Sequence, residues 1–410
     1  MAWEILKRNG VHDFKRYHDI VISIDRIREK EMIYHWSAVN DDELRMTDKA
    51  AKFLQEEFCP PGADPMWSTE YFRWKLGSAN PAGKGYLSLA LLDDSVIGTI
   101  SIVKRRLLIN GNECIGGEVQ DAYSAGVVRR NSRCISLSQK DSDPNSYINK
   151  SIFGRLTSDA KDRAEADGIS IIYATPTKQN SKSYPGFVKK LGFFDCNGFR
   201  VGSFSRPTSK LVTRKYPSLS FLSAPLRHIE AFSISLQKNI YNRGLCKSFT
   251  SDISVPSADE LDELWIRLKP VKGFSLIRDA SYWRHRYMEH PIAQYTFFNI
   301  RERGHLVGII VARLFLASGG KRVVAIAEWM NDEHIPFGYV LSVILNYYKD
   351  SGVDIFNLWA ERPIQKRAIS RSLFFSGGGV HVILADTSAA RSLQTDAAIN
   401  NFYLGSSDNV

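Results

Sequence analysis

Three strand-like runs, each bounded by turn residues, dominate the first half of the chain. They are Tyr86 to Leu92, turning at Asp93-Asp94, then Val96 to Ile109, turning at Asn110-Gly111, and Glu113 to Tyr123. Asn-Gly is the stronger turn signal, because both residues accept the positive φ of a tight hairpin. Upstream, an acidic start at Asp41-Asp42-Glu43-Leu44 leads into a helix running through Lys49 to Phe58 and stopped by Pro60-Pro61-Gly62, and a short helix covers Tyr71 to Leu76. Downstream of a polar stretch from Gly126 to Tyr147, Ile152, Phe153, Leu156 and Ala160 share one side of a helix predicted over Ser151 to Ala166. Gly168 ends that helix, and Ile169 to Tyr173 forms a β-branched strand. A helix near Tyr184 to Leu191 and a last strand from Phe193 to about Phe204 complete the unit. A strand reached by crossing over through a helix lies parallel to its predecessor.

The plan then recurs. Tyr71-Phe72-Arg73-Trp74-Lys75 returns 211 residues later as Tyr282-Trp283-Arg284-His285-Arg286, and Gly98 returns 210 residues later as Gly308. Asp259-Glu260 opens the second copy's first helix, turns fall near Arg303-Gly304 and Gly319-Gly320, and later helices lie near Phe337 to Asp350 and Pro363 to Leu373, around a strand from Val353 to Trp359. A repeat of this length predicts two tandem domains. The boundaries read as an amino-terminal extension 1–31, a first domain 32–205, a basic linker 206–253, a second domain 254–390 and a tail 391–410. The fold class is α/β of the α+β kind, each domain a mixed, mainly antiparallel sheet flanked by helices. Within the linker, Leu222, Leu226, Ile229, Phe232, Leu236 and Ile240 recur at three- and four-residue steps, which predicts an amphipathic helix packed between the domains; a membrane surface is the alternative for its apolar side.

Charge sharpens this picture. Of a formal +10, nine Lys or Arg stand against the single acid Glu230 between Arg200 and Thr250, a balance suited to an anionic substrate, a phospholipid surface or RNA, or to a solvated linker. The longest apolar stretch, Leu306 to Ala317, is broken by Arg313 and too short to span a bilayer. Met1 to Gly10 carries Glu4, Lys7 and Arg8 and no apolar signal core, so a cytoplasmic location is expected. Five scattered cysteines and a His285/His290 spacing of five do not suit a metal site, and no metal is expected.

In this order of elements the first copy resembles the GNAT superfamily of acyl-coenzyme A-dependent N-acyltransferases, and the tandem arrangement resembles its two-domain members. The resemblance covers roughly Met32 to Phe204 and Ser254 to Asp386. It implies an acyl-coenzyme A lying in a splayed gap between the fourth and fifth strands, with its pyrophosphate held by the loop that opens the following helix. A strand edge can hydrogen-bond the pantetheine amides, and a helix amino terminus offers free N–H groups and a favourable dipole to phosphate. The segment Tyr147-Ile148-Asn149-Lys150-Ser151-Ile152-Phe153 stands where the family's loop reads like Tyr-Arg-Gly-Lys-Gly-Ile-Phe. Lys150, Ile152 and Phe153 match, whereas Ile148, Asn149 and Ser151 depart from it. The resemblance therefore assigns Lys150, Ser151, Ile152, Phe153 and Gly154 to the cofactor, with Ser151 compensating for a lost glycine as an N-cap. Lys189-Lys190-Leu191-Gly192-Phe193 looks like the family's Lys-Leu-Gly-Phe ending, with Asn180 and Ser183 as the polar residues that hold the donor. The tyrosine that often protonates the departing thiolate is replaced by Val188, and Tyr184, four residues earlier on the same helical face, is the substitute.

Acyl transfer to an amine also needs a base or a water path to free the nitrogen lone pair. Glu118, Gln120 and Asp121 lie on the third meander strand beside the expected splay, Asp121 where the family often places an acid. Strict alternation puts Glu118 and Asp121 on opposite faces, so they can enter one cleft only through a bulge. The expected catalytic set is Glu118, Asp121 and Tyr184. The second copy has Glu328 on the corresponding strand but no glycine-spaced basic loop, and is expected to bind no coenzyme A.

These readings predict transfer from acetyl-CoA or another acyl-CoA to a small amine, an anionic amino sugar suiting the basic linker. Nucleic acid is not an expected partner of such an enzyme, and peripheral membrane contact is compatible with it. Two alternatives stand beside it: a Fem-type peptidyltransferase drawing aminoacyl groups from tRNA, and a catalytically inactive tandem scaffold, to which the departures at Ile148, Asn149, Ser151 and Val188 point.

Overall fold

The structure, a computed structural model, describes residues 35–39, 44–92, 94–125, 152–169, 171–176, 183–243, 248–271, 273–360, 369–370, 372–385 and 402–403. The first half runs β1 (His35–Val39), α1 (Leu44–Phe58), α2 (Thr69–Leu76), β2 (Tyr86–Leu92), β3 (Ser95–Ile109), β4 (Asn112–Ser124), α3 (Ile152–Ala166), β5 (Ile171–Ala174), α4 (Ser183–Lys190) and β6 (Phe194–Pro207). A helical bridge follows: α5 (Ser209–Lys215), a 3-10 turn at Pro217–Leu222 and α6 (Ser223–Arg243). The second half runs β7 (Phe249–Asp252), α7 (Ala258–Leu268), β8 (Phe274–Leu276), α8 (Ala280–Trp283) with a π turn at Arg284–Met288, β9 (Thr296–Glu302), β10 (His305–Ala317), β11 (Lys321–Asn331), α9 (Phe337–Tyr348), β12 (Ile355–Ala360), β13 (Phe375–Leu384) and β14 (Phe402–Tyr403). Of the helix expected over Pro363 to Leu373, residues 363–368 and 371 lie outside the described residues, residues 369 and 370 are helical, and residues 372 and 373 form a turn.

The meander β2-β3-β4 is antiparallel, and β5, reached through α3, lies parallel to β4. Asn110 (φ 50°) and Gly111 (φ 83°) adopt the left-handed conformations that their turn requires. The second half repeats this with β9-β10-β11 antiparallel and β12 parallel to β11.

The copies do not close separately. The strands join one sheet whose central order is β4-β5-β13-β6-β12-β11. The closing strand of each copy has crossed to the other: β13 pairs antiparallel with β5, and β6 pairs antiparallel with β12. The two exchanged strands also pair with each other, Val201 opposite Val380 and Gly202 opposite Gly379. Helices cover both faces. On one face, α1 and α2 pack on Leu87, Leu89 and Val103 in the first half, and α7 and α8 pack on Ile309 and Val311 in the second. On the other, α3 and α4 cover Ile100, Ile102 and Ile172, and α9 covers Phe298, Ile310 and Val324.

The repeated aromatic-basic motif meets itself across the join. The rings of Trp74 and His285 stack at 4.6 Å with planes 9° apart. Trp74 Nε1 donates to the His285 carbonyl at 2.9 Å, and His285 Nε2 donates to the Trp74 carbonyl at 3.1 Å. The strand exchange and this reciprocal pair make one interlocked body of the two copies.

The helix expected to pack between the domains forms as α6, but its apolar side is largely uncovered. Ile234 is buried in the core beneath α9, whereas Ile229, Phe232 and Leu236 are exposed.

Candidate active site

β4 and β5 stay in register for four positions, from Gly116 opposite Ile171 to Val119 opposite Ala174. β5 then ends while β4 runs on to Ser124, so the strands part. The first turn of α3 sits above the parted end because Gly98, which pairs with Ser124, has no side chain. A Cβ there would lie 2.8 Å from Ile152 Cγ2 and 3.1 Å from Leu156 Cδ1. The helix start is thereby held over a strand edge, the arrangement that a phosphate-bearing chain needs if it is to cross from the helix N–H groups into the sheet.

α4 is fastened to the same turn. The Phe153 ring meets Phe187 edge-to-face at 4.9 Å, and a Cβ on Gly186 would lie 3.0 Å from that ring. Ile152, Phe153 and Gly154 thus form the first turn of α3 against α4, with Ser183 opening α4. Lys150, Ser151 and Asn180 lie outside the described residues.

The proposed acid–base residues have other partners. A β-bulge separates the Thr99–Tyr123 pair from the Ser101–Gln120 pair and gives β4 one extra residue. Asp121 takes φ 49° in it. This is the bulge that alternation alone could not supply, and it turns Asp121 to the face that Glu118 already occupies. Neither carboxylate stands alone there. Asp121 is ion-paired with the buried Lys75 and accepts from Ser101 Oγ at 2.6 Å and Trp67 Nε1 at 3.1 Å. Glu118, also buried, is paired with Arg105 Nε at 2.8 Å. Tyr184 lies on the opposite face, and its hydroxyl donates to Asp195 Oδ2 at 2.7 Å. The three residues expected as one catalytic set are therefore divided by the sheet, Glu118 and Asp121 on one side and Tyr184 on the other.

Residues that the sequence did not single out complete the α1–α2 side. Tyr123 packs on Phe58 at 4.3 Å and on Trp67 at 6.0 Å, and burial first, then the Asp121 charge, push its hydroxyl pKa up. Tyr173 is buried, its hydroxyl has no hydrogen-bond partner among the described residues, and burial followed by the Glu118 charge hold it neutral, well above its ordinary pKa. The second copy mirrors the Lys75–Asp121 pair. In its β11, Glu328 is ion-paired with Arg278 at 2.6 Å, accepts from the Tyr282 and Tyr287 hydroxyls, and lies 4.0 Å from Arg286, the repeat of Lys75. The recurring motif thus brings its fifth residue within ion-pair reach of an acid on the bulged strand, directly in the first copy and behind Arg278 in the second.

The second copy's own parting strands are differently furnished. β11 and β12 separate after Ile326 and Leu358, but only residues 332–336 connect β11 to α9, and the Trp329 ring packs on Phe337 in the first helical turn at 5.0 Å. A cavity between the copies, bordered by Lys104, Arg105, His285 and Arg286, holds about 30 Å³, room for a water or two. Among the described residues no group of His, Cys, Asp and Glu could hold a metal. Cys196 is buried, and burial first, then Asp195, push its thiol up to about 12, far from a thiolate nucleophile.

No protein-family model matches the sequence, and no curated protein matches it significantly. Solved structures do. The myristoyl-CoA complex of Saccharomyces cerevisiae N-myristoyltransferase superposes with a TM-score of 0.56 at 12% identity, over 87% of this chain and 84% of that one. A tandem GNAT protein from the clavulanic acid biosynthesis pathway superposes with a TM-score of 0.52 at 11% identity, over 86% of this chain and 98% of that one. At such identities the likeness shows the fold, and the fold is a tandem GNAT arrangement.

Proposed function

We propose that this protein is an acyl-CoA-dependent N-acyltransferase with one donor site per chain, in the gap between β4 and β5. The parting of these strands beneath the first turn of α3 carries this reading. The diphosphate of the donor would sit at the α3 amino terminus, where Lys150 and Ser151 add charge and a hydroxyl, and its pantetheine would run along the edge of β4. The neutral acceptor nitrogen attacks the thioester carbon, the C–S bond breaks, the nitrogen loses a proton and the thiolate gains one. The gap is where an acceptor on the Glu118 side can meet a donor arriving from the Tyr184 side. The contacts of Asp121 with Lys75, of Glu118 with Arg105 and of Tyr184 with Asp195 favour positioning roles for all three. Asp121 fixes the bulge, and Tyr184 ties α4 to β6. The acceptor is read as a small amine of anionic character, such as an amino sugar, from the basic balance around the bridge, and acetyl-CoA is the donor tried first.

Calorimetric titration with acetyl-CoA and with myristoyl-CoA tests the reading. Saturable binding of one of them at one per chain is expected, weakened about tenfold or more when Lys150→Ala removes a charge from the phosphate contact. Absence of binding to either would sink the proposal. Salt-sensitive tRNA binding would then select the Fem-type alternative, and its absence the inactive scaffold.

A further inference from the structure

The uncovered side of α6 calls for an occupant. Ile229, Phe232 and Leu236 follow one another at three- and four-residue steps and are 64%, 67% and 46% exposed, and Phe221, just before the helix, is 73% exposed. The patch extends beyond the helix. Arg206 donates both to the Ser372 carbonyl at 3.0 Å and to Ser233 Oγ, which brings the turn before β13 beside α6. Leu373 (φ 63°) and Phe375 of that segment are likewise exposed. Apolar residues scattered singly over a surface need no explanation, but a continuous stripe with aromatic members does.

Its surroundings are cationic. Glu230, the one acid between Arg200 and Thr250, is turned inward, accepting from Ser209 N at 3.0 Å and Ser209 Oγ at 2.7 Å. Lys215, the last residue of α5, is exposed, makes no ion pair among the described residues and lies 5.5 Å from the exposed Tyr216 ring, whereas Arg227, also exposed, stands on the far side of α6 from the stripe. A helix with an apolar stripe and aromatic residues, set in a segment of strongly cationic balance, is built to lie in the plane of an anionic bilayer surface. A second copy of this chain fits less well, since two like-charged faces would be brought together. Among the described residues no helix is long and apolar enough to cross a membrane, so the contact is along the surface.

We propose that the α5–α6 face binds bilayers containing anionic phospholipid, with Ile229, Phe232 and Leu236 turned into the acyl boundary and Lys215 at the headgroups. This stands apart from the acyl-transfer reading, because neither the parted strands nor their ligand enters the argument. Flotation of the full chain is measured on vesicles of phosphatidylcholine alone and of phosphatidylcholine mixed with phosphatidylglycerol. Partition onto the mixed vesicles only, weakened by salt, is expected. Ile229→Ser/Phe232→Ser and, separately, Lys215→Glu should each lower the partition coefficient about tenfold or more with unchanged thermal unfolding. The charge variant keeps the test sound should the apolar pair disturb folding. Equal flotation on both vesicle types, none on either, or none of the loss expected of the charge variant would overturn the proposal. So would a wild-type dimer that Ile229→Ser/Phe232→Ser dissociates without any vesicle dependence, which would make the face a self-interface.

Discussion

Replacing Lys75 by methionine leaves the Asp121 carboxylate buried beside Trp67 and Ser101 without its cation. Removing one member of a buried ion pair is far more damaging than removing both, because the survivor keeps its desolvation penalty. Lys75→Met should therefore lower unfolding free energy by about 3–5 kcal/mol in urea titrations, while Lys75→Met/Asp121→Asn loses distinctly less. Asparagine suits the second position because it tolerates the left-handed backbone there and still accepts from Trp67 and Ser101. A double variant no more stable than the single would show that the bulge, not the charge, sets the loss. At this scale the sequence was least informative. Asp121 is recognisable as an acid near a splay, but Lys75 lies 46 positions away on a helix. Nothing in local pattern says that a residue inside an amphipathic turn is aimed at a carboxylate.

Among the elements, α7 shows the opposite case, a helix start that Asp259-Glu260 announces and that Ser257 caps in the structure. Ser257 Oγ accepts from the Glu260 amide, and the Glu260 carboxylate accepts from the Ser257 amide at 2.9 Å. Arg301 and then that amide hold the Glu260 carboxyl below its ordinary pKa. A carboxyl depressed in the folded state stabilises above its unfolded pKa and loses that contribution as pH falls through the folded value. Wild type should thus exceed Glu260→Gln by about 0.5–1 kcal/mol at neutral pH, a gap that narrows as pH falls below the ordinary glutamate value of about 4.3; thermal melts down through the acid range check it, and a gap constant with pH would refute the assignment. The meander strands were equally legible, because Asn110-Gly111 and the apolar runs specify a hairpin locally. Their bulge was not, because alternation carries no signal for one inserted residue. The exposed stripe of α6 was legible as a stripe, but periodicity does not say whether anything packs on it.

For the molecule as a whole, the exchange of β6 and β13 means that neither half owns a complete sheet. A fragment ending at residue 253 would leave β5 without β13 and β6 without β12, two long unpaired edges that favour aggregation. It should be insoluble when expressed alone and recovered as a folded complex when co-expressed with residues 254–410, and the intact chain should unfold in one transition by both circular dichroism and tryptophan fluorescence. A soluble, monomeric fragment with native-like near-ultraviolet dichroism would contradict the interlock. The tandem plan itself was visible in the recurrence of Tyr71–Lys75 at Tyr282–Arg286. The crossing was not, since a repeat gives the position of a strand within its copy and not the copy whose edge it joins.

The exchange also has a consequence on the ribosome. β5 is finished about 200 residues before its neighbour β13 is made, on the order of 10–40 s at ~5–20 residues per second. During that interval the emerging first half holds an open strand edge that its own sequence cannot close. The nascent chain is thus a natural client for a chaperone that shields β edges, and its yield should follow the speed with which its last third is translated.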